Sequence, residues 1–213
     1  MLSAAAPPVP ATTLTFEETM CGGFSLGETD PAAGRARGAA AGTDLVLHAS
    51  VSIEDLDHFV TDPDHTGLLS GSIDFPPLGM GLQGASGVFN LFEPGDQPGL
   101  KLMIYEVGFA QAGRPYYLAG RKLVRRHPLL DLWHDTTTLY ATLHAGGGPG
   151  GSVLGAGILT LDLEALLRML ETFRVEHAPS AAARAETLAR FGRFFLGELW
   201  DIYALHAGVG ESA

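Results

Sequence analysis

The sequence has little cysteine, little positive charge and no long apolar run, and each shortage excludes a class of protein. Cys21 is the single cysteine, so neither an intrachain disulfide nor a cysteine-based zinc site is expected. No run of about 18 apolar residues occurs, so we expect no membrane span. Lys and Arg total 13 against 24 acidic residues, and the net charge of −11 repels phosphate backbones. We therefore expect no binding to nucleic acid.

The first residues lack the basic segment of a secretory signal. Residues 1–12 are rich in alanine and proline, so we expect a disordered tail there rather than a signal peptide. Together with the single cysteine, this favours a cytoplasmic location. Residues 27–43 are rich in glycine and alanine and are interpreted as a long mobile loop.

The sequence does contain many short apolar runs separated by glycine. Hydrophobic residues make up 46% of the 213 residues, enough to bury a core without a disulfide or a metal. Alternation of apolar and polar residues between glycine-containing turns is typical of antiparallel strands. About eight strands are predicted, at Leu14–Phe24, Leu45–Ile53, Leu69–Phe75, Gly87–Phe92, Leu100–Phe109, Tyr116–Val124, Thr136–His144 and Val153–Leu161.

The apolar period changes from two to 3.6 residues after Asp162. Asp162 and Ser180 are suitable N-caps for two helices, the second ending near Gly208. We therefore predict a mainly β fold, an antiparallel β-barrel or sandwich over residues 13–161, with two C-terminal helices over residues 162–208 packed on it. A lipocalin-like barrel is one such fold, and eight closed strands can enclose one small ligand.

Two glycine motifs match enzyme fingerprints only in their letters. Gly79–Gly84 reads GxGxxG, but a β-like segment follows where a dinucleotide site requires a helix, so a flexible loop is predicted. Gly23–Gly27 reads GxSxG, but the next residues do not promptly form the helix of a nucleophile elbow. We expect no nucleotide, flavin or other cofactor on this chain.

The segment Asp55–His65 gathers four carboxylates and two imidazoles. Such groups bind cations, but their order matches no calcium loop. Asp side chains also cap helices and stabilise turns. We interpret the segment as caps and turns and expect no metal, with a metal site as the alternative.

Glu106 is a carboxylate on an otherwise apolar strand, where it must be paired or protonated. Lys122 on the next strand is one candidate partner and Arg121, on the opposite face, is another. The pair is either structural or part of a ligand site. The predicted ligand-binding residues are Asn90, Tyr105, Glu106, Tyr117, Lys122 and Tyr140.

An enzyme would need acid/base groups that converge in the barrel. His134 and Asp135 are neighbours on a predicted strand, point to opposite faces and cannot form a dyad with each other. Either could pair with a residue of another strand. The candidate catalytic residues are Glu106, Tyr105, Lys122, His134 and Asp135.

Short motifs spread over residues 14–205 carry a family resemblance. They include Gly87-x-Phe89-Asn90-Leu91-Phe92, Asp131-x-Trp133-x-Asp135 and Phe191-Gly192-x-Phe194-Phe195. With them the chain resembles an uncharacterised bacterial domain that accompanies, or is fused to, GMC-type FAD oxidoreductases of the cholesterol-oxidase kind. The resemblance implies a flavoprotein partner that carries the flavin chemistry.

Three functions from different classes follow from these observations. The first is a domain that binds an apolar small molecule, such as a lipid or sterol, as an accessory to a flavin-dependent oxidoreductase. The second is a cofactor-free isomerase or cyclase that uses acid/base residues inside the barrel. The third is an interaction-only domain. We predict the first.

Overall fold

The computed structural model describes residues 11–125 and 132–203. This part of the chain forms nine strands and five helices. The strands are β1 Thr13–Leu26, β2 Asp44–Ile53, β3 Thr66–Phe75, β4 Gly79–Pro94, β5 Leu100–Gln111, β6 Arg114–Arg125, β7 Thr138–Ala145, β8 Val153–Thr160 and β9 Arg174–Glu176. The helices are α1 Pro31–Ala41, α2 Leu56–Thr61, α3 Leu132–Thr137, α4 Leu163–Thr172 and α5 Ala181–Tyr203.

Strands β1 to β8 form a closed antiparallel barrel. Each strand pairs with the next along the chain, and β1 pairs with both β2 and β8, which closes the sheet. The short strand β9 adds to β1 at Thr13–Thr15, beyond the part of β1 that pairs with β8. The predicted mainly β fold with eight antiparallel strands is confirmed, and the structure is a barrel rather than a sandwich.

Alternate residues of each strand point into the lumen of the barrel. In β1 the buried residues Leu14, Phe16 and Met20 alternate with residues of greater exposure. The lumen near the C-terminal end of β1 is filled by large side chains. There Phe24 and Phe75 are fully buried and meet edge to face, with ring centroids 5.2 Å apart. This half of the lumen is therefore a packed core.

The prediction of a mobile loop over residues 27–43 is wrong, because helix α1 lies there. Asp30 caps it by accepting a hydrogen bond from the backbone N–H of Ala33, and Pro31 occupies the first turn. Gly42 ends the helix in the left-handed conformation, with φ of 64°. The expectation that no helix promptly follows Gly23–Gly27 is also wrong. Ser25 nevertheless lies within β1, paired with Ala156 of β8, and not on an elbow between a strand and a helix.

The two predicted C-terminal helices are confirmed with their caps. Asp162 accepts a hydrogen bond from Ala165 N at 2.7 Å, and Ser180 Oγ accepts one from Ala183 N at 3.1 Å. Helix α5 packs on the barrel through aromatic side chains. Phe191 and Phe195 of this helix contact Phe16 of β1 and Phe92 of β4 at ring-centroid distances of 6.5 and 5.5 Å. Most of the predicted tail, residues 1–10, and the predicted helix end near residue 208 lie outside the described residues.

Two other local predictions differ from the structure. The segment Gly79–Gly84 is not a flexible loop but the first part of strand β4, which follows β3 after a short turn. The strand predicted from Thr136 begins at Thr138, because helix α3 precedes it. Asp135 of α3 accepts a hydrogen bond from the backbone N–H of Arg125 at 3.1 Å and so fixes this helix to the end of β6.

Candidate ligand-binding cavity

A cavity of about 560 Å³ occupies the other half of the barrel lumen. It lies between the strands and helices α4 and α5, which we name the helical cap. Leucine, methionine and phenylalanine side chains form most of its wall. The lining residues from the strands are Phe16, Glu18, Phe89, Leu91, Met103, Tyr105 and Lys122. The volume lies within the range of roughly 300–1,000 Å³ that is usual for small-molecule sites.

Three polar side chains meet in the cavity wall, and we name them the triad: Glu18, Tyr105 and Lys122. Lys122 Nζ donates a hydrogen bond to Glu18 Oε1 at 2.5 Å. The Tyr105 hydroxyl donates to the other carboxylate oxygen, Oε2, at 2.6 Å. Lys122 Nζ also lies 4.9 Å from the centre of the Tyr105 ring. Both oxygens of the buried carboxylate thus have a partner.

The triad crosses the lumen of the barrel. Glu18 belongs to β1, whereas Tyr105 and Lys122 belong to the neighbouring strands β5 and β6. In the closed order, β5 is four strands away from β1 in either direction, so these two strands face each other across the lumen. The hydrogen bonds of Glu18 therefore connect opposite walls of the barrel.

The burial of the triad sets its electrostatics. The side chains of Glu18 and Lys122 are each 2% exposed, so neither charge is solvated by bulk water. Such charges are tolerated only when they are paired and hydrogen-bonded. Burial, followed by the nearby charge of Glu18 and the hydrogen bond to it, raises the pKa of Tyr105 well above its usual value. Tyr105 is therefore a neutral donor at physiological pH.

The triad also marks the inner end of the cavity. On β1, the cavity is lined by Phe16 and Glu18 but not by the next inward residue, Met20. On β5, it is lined by Tyr105 but not by Val107, the next inward residue. Beyond the triad, the lumen is filled by apolar side chains. The polar groups thus lie at the bottom of an apolar cavity.

The opposite end of the cavity opens between the helices of the cap. Leu170 of α4 and Leu196 of α5 line the cavity and are also 55% and 65% exposed. Helix α4 has no buried residue, although it contacts β1 through Thr172, whose hydroxyl accepts a hydrogen bond from Glu17 N. The cap therefore covers the lumen loosely and leaves apolar side chains at the mouth.

The predicted ion pair between Glu106 and Lys122 is wrong. The two residues lie on opposite faces of the barrel wall, because Lys122 points into the lumen with Leu118 whereas Glu106 is on the outer face. Glu106 instead accepts a hydrogen bond from the Tyr117 hydroxyl at 2.6 Å. Partial burial, followed by this hydrogen bond and the charge of Glu106, raises the pKa of Tyr117.

The other predicted site residues also lie away from the cavity. Asn90 donates hydrogen bonds to Asp64 O and Thr66 Oγ1 and thereby fixes the start of β3. Tyr140 lies opposite Arg121 in the pairing of β7 with β6, on the half-exposed face of β7. His134 and Asp135 are on the short helix α3, and neither lines the cavity. Of the predicted ligand-binding and catalytic residues, the structure places two, Tyr105 and Lys122, in the cavity wall.

Glu18 was missed by the sequence analysis, although the sequence contains its signal. It occupies the inward register of β1, between Phe16 and Met20. Lys122 similarly lies between Leu118 and Val124 on the inward face of β6. One acidic and one basic residue, each on the inward apolar face of a strand, are expected to pair, because neither charge can be buried alone.

The segment Asp55–His65 forms caps and turns, as predicted. Asp55 caps α2 by accepting a hydrogen bond from His58 N at 3.0 Å. The two carboxylate oxygens of Asp62 accept from Asp64 N and Thr66 N. These backbone hydrogen bonds lower the pKa of Asp62. Within residues 11–125 and 132–203, no group of three or more His, Cys, Asp or Glu side chains is arranged to hold a metal ion.

Comparison of the chain with family models, with curated proteins and with solved structures finds no match. The resemblance to the GMC-associated domain therefore stays a prediction. Among the helices of the described residues, none combines the length and the apolar character needed to cross a membrane. The cavity and its triad are thus the features from which a function can be argued.

Proposed function

We propose that the protein binds a small, mainly apolar molecule, such as a lipid or sterol, in the barrel cavity. The observation that carries this proposal is the cavity of about 560 Å³, whose wall is apolar apart from the triad and two threonines. A large apolar pocket with a few convergent polar groups is the usual form of a small-molecule site. The exposed leucines at its mouth provide an apolar route between the two helices.

The resemblance to the GMC-associated domain supports a second part of the same proposal. A flavin oxidoreductase of the cholesterol-oxidase kind acts on an apolar molecule with an oxygen-bearing group. An accessory domain with an apolar cavity would hold such a molecule for its partner. In this proposal, the flavin chemistry belongs to the partner and the present chain supplies the binding site.

One observation favours a second candidate function, a cofactor-free isomerase or cyclase. The triad places an ammonium and a phenol within hydrogen-bonding distance of one carboxylate at the cavity wall. These are the group types that general acid/base catalysis uses. The catalytic set would then be Glu18, Tyr105 and Lys122, without the outward-facing Glu106.

The proposed function is tested by filling the cavity from Gly192 of α5. Gly192 lines the cavity, and a Cβ atom added to it meets no atom within 4 Å. Because Gly192 is part of the cavity wall, we expect the side chain of Gly192→Phe to occupy ligand space without a backbone clash. We expect the dissociation constant of Nile red, a neutral apolar fluorophore, to rise at least about tenfold, a loss of about 1.4 kcal/mol in binding free energy.

Gly197→Phe is the matched control. Gly197 is in the same helix, also has open space around an added Cβ, and does not line the cavity. Both substitutions remove a glycine from a helix interior, so both variants should be at least as stable as the wild type. Fluorescence titration together with urea unfolding measures the two effects. Unchanged Nile red affinity in Gly192→Phe would contradict binding in this cavity.

A further inference from the structure

We infer that the ligand is an uncharged molecule with one oxygen-bearing head group, an alcohol or a ketone on an apolar body, which binds head-first against the triad. This inference rests on the proposed function and adds the charge, the head group and the orientation of the ligand. It follows from the charge balance of the triad, its hydrogen-bonding groups and its depth in the cavity.

The charge balance of the triad disfavours a charged ligand. Among the described residues that line the cavity, Glu18 and Lys122 are the charged ones, and they neutralise each other. The other polar residues of the lining, Thr136, Thr137 and Tyr105, are uncharged. A ligand carboxylate or ammonium would bring a third, uncompensated charge to a position that is screened from water. The desolvation of such a charge opposes binding, whereas an uncharged oxygen adds no net charge.

The hydrogen-bonding groups of the triad suit a hydroxyl or carbonyl oxygen. An ammonium has three donors and a carboxylate has about four acceptor positions. The ammonium of Lys122 can donate to a ligand oxygen, and the carboxylate of Glu18 can accept from a ligand hydroxyl. Such bonds to ionised groups are stronger than neutral ones. A hydroxyl therefore binds better than a purely apolar molecule of the same shape.

The depth of the triad determines the orientation. It lies at the inner end of the cavity, whereas the wall towards the cap is made of residues such as Leu166, Met169 and Leu199. An amphipathic molecule therefore places its oxygen at the triad and its apolar body along the cap. Its far end reaches the mouth between α4 and α5.

The test is a competition series with one chain length and different head groups. Decanol, decanoate, decylamine and decane each compete with Nile red for the wild-type protein at neutral pH, where the acid and the amine are charged. We expect decanol to have the lowest dissociation constant, at least about tenfold below those of decanoate and decylamine, and lower than that of decane. Decanoate or decylamine binding as tightly as decanol would overturn the inference.

A change of one charge in the triad should reverse this preference. In Glu18→Gln, the buried Lys122 has lost its carboxylate, and decanoate can supply one. We expect decanoate to bind this variant at least about tenfold more tightly than decanol and to raise its thermal unfolding midpoint. A Glu18→Gln variant that still prefers decanol would show that the triad does not select the head group.

A double variant covers the case in which Glu18→Gln does not fold. Glu18→Gln combined with Lys122→Met removes both charges together, and neutral replacement of a buried ion pair is usually tolerated. We expect it to retain Nile red and to bind decanol and decane with more similar affinity than the wild type does. An unchanged preference for decanol in the double variant contradicts the inference.

Failure of the proposed function and failure of the head-group preference give different results in this series. If the wild type binds neither Nile red nor any decyl compound, the proposed function fails and the inference fails with it. If Nile red binds but the charged compounds compete as well as decanol, the proposed function stands and the inference alone is wrong.

Discussion

Glu18 and Lys122 each carry a charge on the inward face of a strand whose other inward residues are apolar. Each would cost several kcal/mol to bury alone, so each depends on the other and on the Tyr105 hydroxyl. Glu106 has the same side chain on the outer face, where it is partly solvated and bonded to Tyr117. The chain thus offers a matched pair of carboxylates in two environments.

We predict that the same substitution has very different effects at these two carboxylates. Glu18→Gln leaves the ammonium of Lys122 buried without a counter-charge and should lower the free energy of unfolding by about 3–5 kcal/mol. Glu106→Gln keeps an acceptor for Tyr117 on the outer face and should change it by less than about 1 kcal/mol. Urea unfolding of both variants measures the difference. Equal losses would show that the buried ammonium of Lys122 does not depend on the charge of Glu18.

At the residue scale, the sequence predicts part of the site. Lys122 was identified as a candidate partner for a carboxylate on an apolar strand, and Tyr105 as a hydrogen-bonding group for an apolar cavity; both line the cavity. Glu106 was chosen as the carboxylate that pairs with Lys122, and Glu18 was missed. The choice was wrong because strand alternation fixes the face of a residue but does not show which distant strand lies across the lumen. That information requires the closed order of the strands.

At the element scale, helix α1 shows how glycine can be required inside a helix. Gly34 and Gly38 are buried against β1 and β8. A Cβ atom added to Gly34 would lie 2.0 Å from the carbonyl oxygen of Ala156, and one added to Gly38 would lie 2.3 Å from Phe24 N. Helix α1 therefore lies so close to the barrel wall that there is no room for a side chain at these two positions.

We predict opposite effects for glycine replacement in α1 and α5. Gly34→Ala should lower the free energy of unfolding by more than 1 kcal/mol, because its methyl group must displace backbone atoms of β8 (roughly the cost of overpacking). Gly197→Ala, where an added Cβ meets open space, should raise it by about 0.5–1 kcal/mol. Thermal or urea unfolding shows whether each substitution lowers or raises the free energy of unfolding. A stabilised Gly34→Ala would mean that α1 is not packed this closely.

The elements themselves were largely predictable, with α1 as the main exception. All eight barrel strands were identified from alternation and turn residues, and the two C-terminal helices from their caps and spacing. Helix α1 was missed because glycine lowers helix propensity and because its face carries no large apolar residues. Its buried residues are Gly34 and Gly38, which contact the barrel through backbone atoms, and hydrophobic periodicity does not detect such a surface.

At the scale of the whole molecule, the barrel has a filled half and an open half, separated by the triad. The filled half contains the large buried side chains Phe24 and Phe75, whereas the open half is covered by the cap, in which α4 has no buried residue. Local opening is easiest where few apolar contacts are lost. Movement of α4 away from the mouth would therefore admit a ligand while the barrel stays closed.

We predict that amide hydrogen exchange divides the molecule in the same way. Amides of α4 should exchange through local opening and faster than those of β1 and β8 near the filled half. Nile red should slow exchange in α4 and α5 with little change at the filled end. Mass spectrometry of peptides from the two regions provides the measurement. Equal exchange in α4 and the barrel strands would contradict an opening confined to the cap.

The close approach of α1 to the barrel has a consequence for how this protein can evolve. Across this contact, Gly23 of β1 and Gly34 and Gly38 of α1 each face backbone atoms that a Cβ would strike, so these positions admit no other residue without a shift of the backbone. The side chains of the cap that line the cavity are less restricted, because they need only be apolar and have a suitable total volume. A lineage could therefore exchange cavity residues and acquire a new ligand while the spaced glycines remain as its lasting signature.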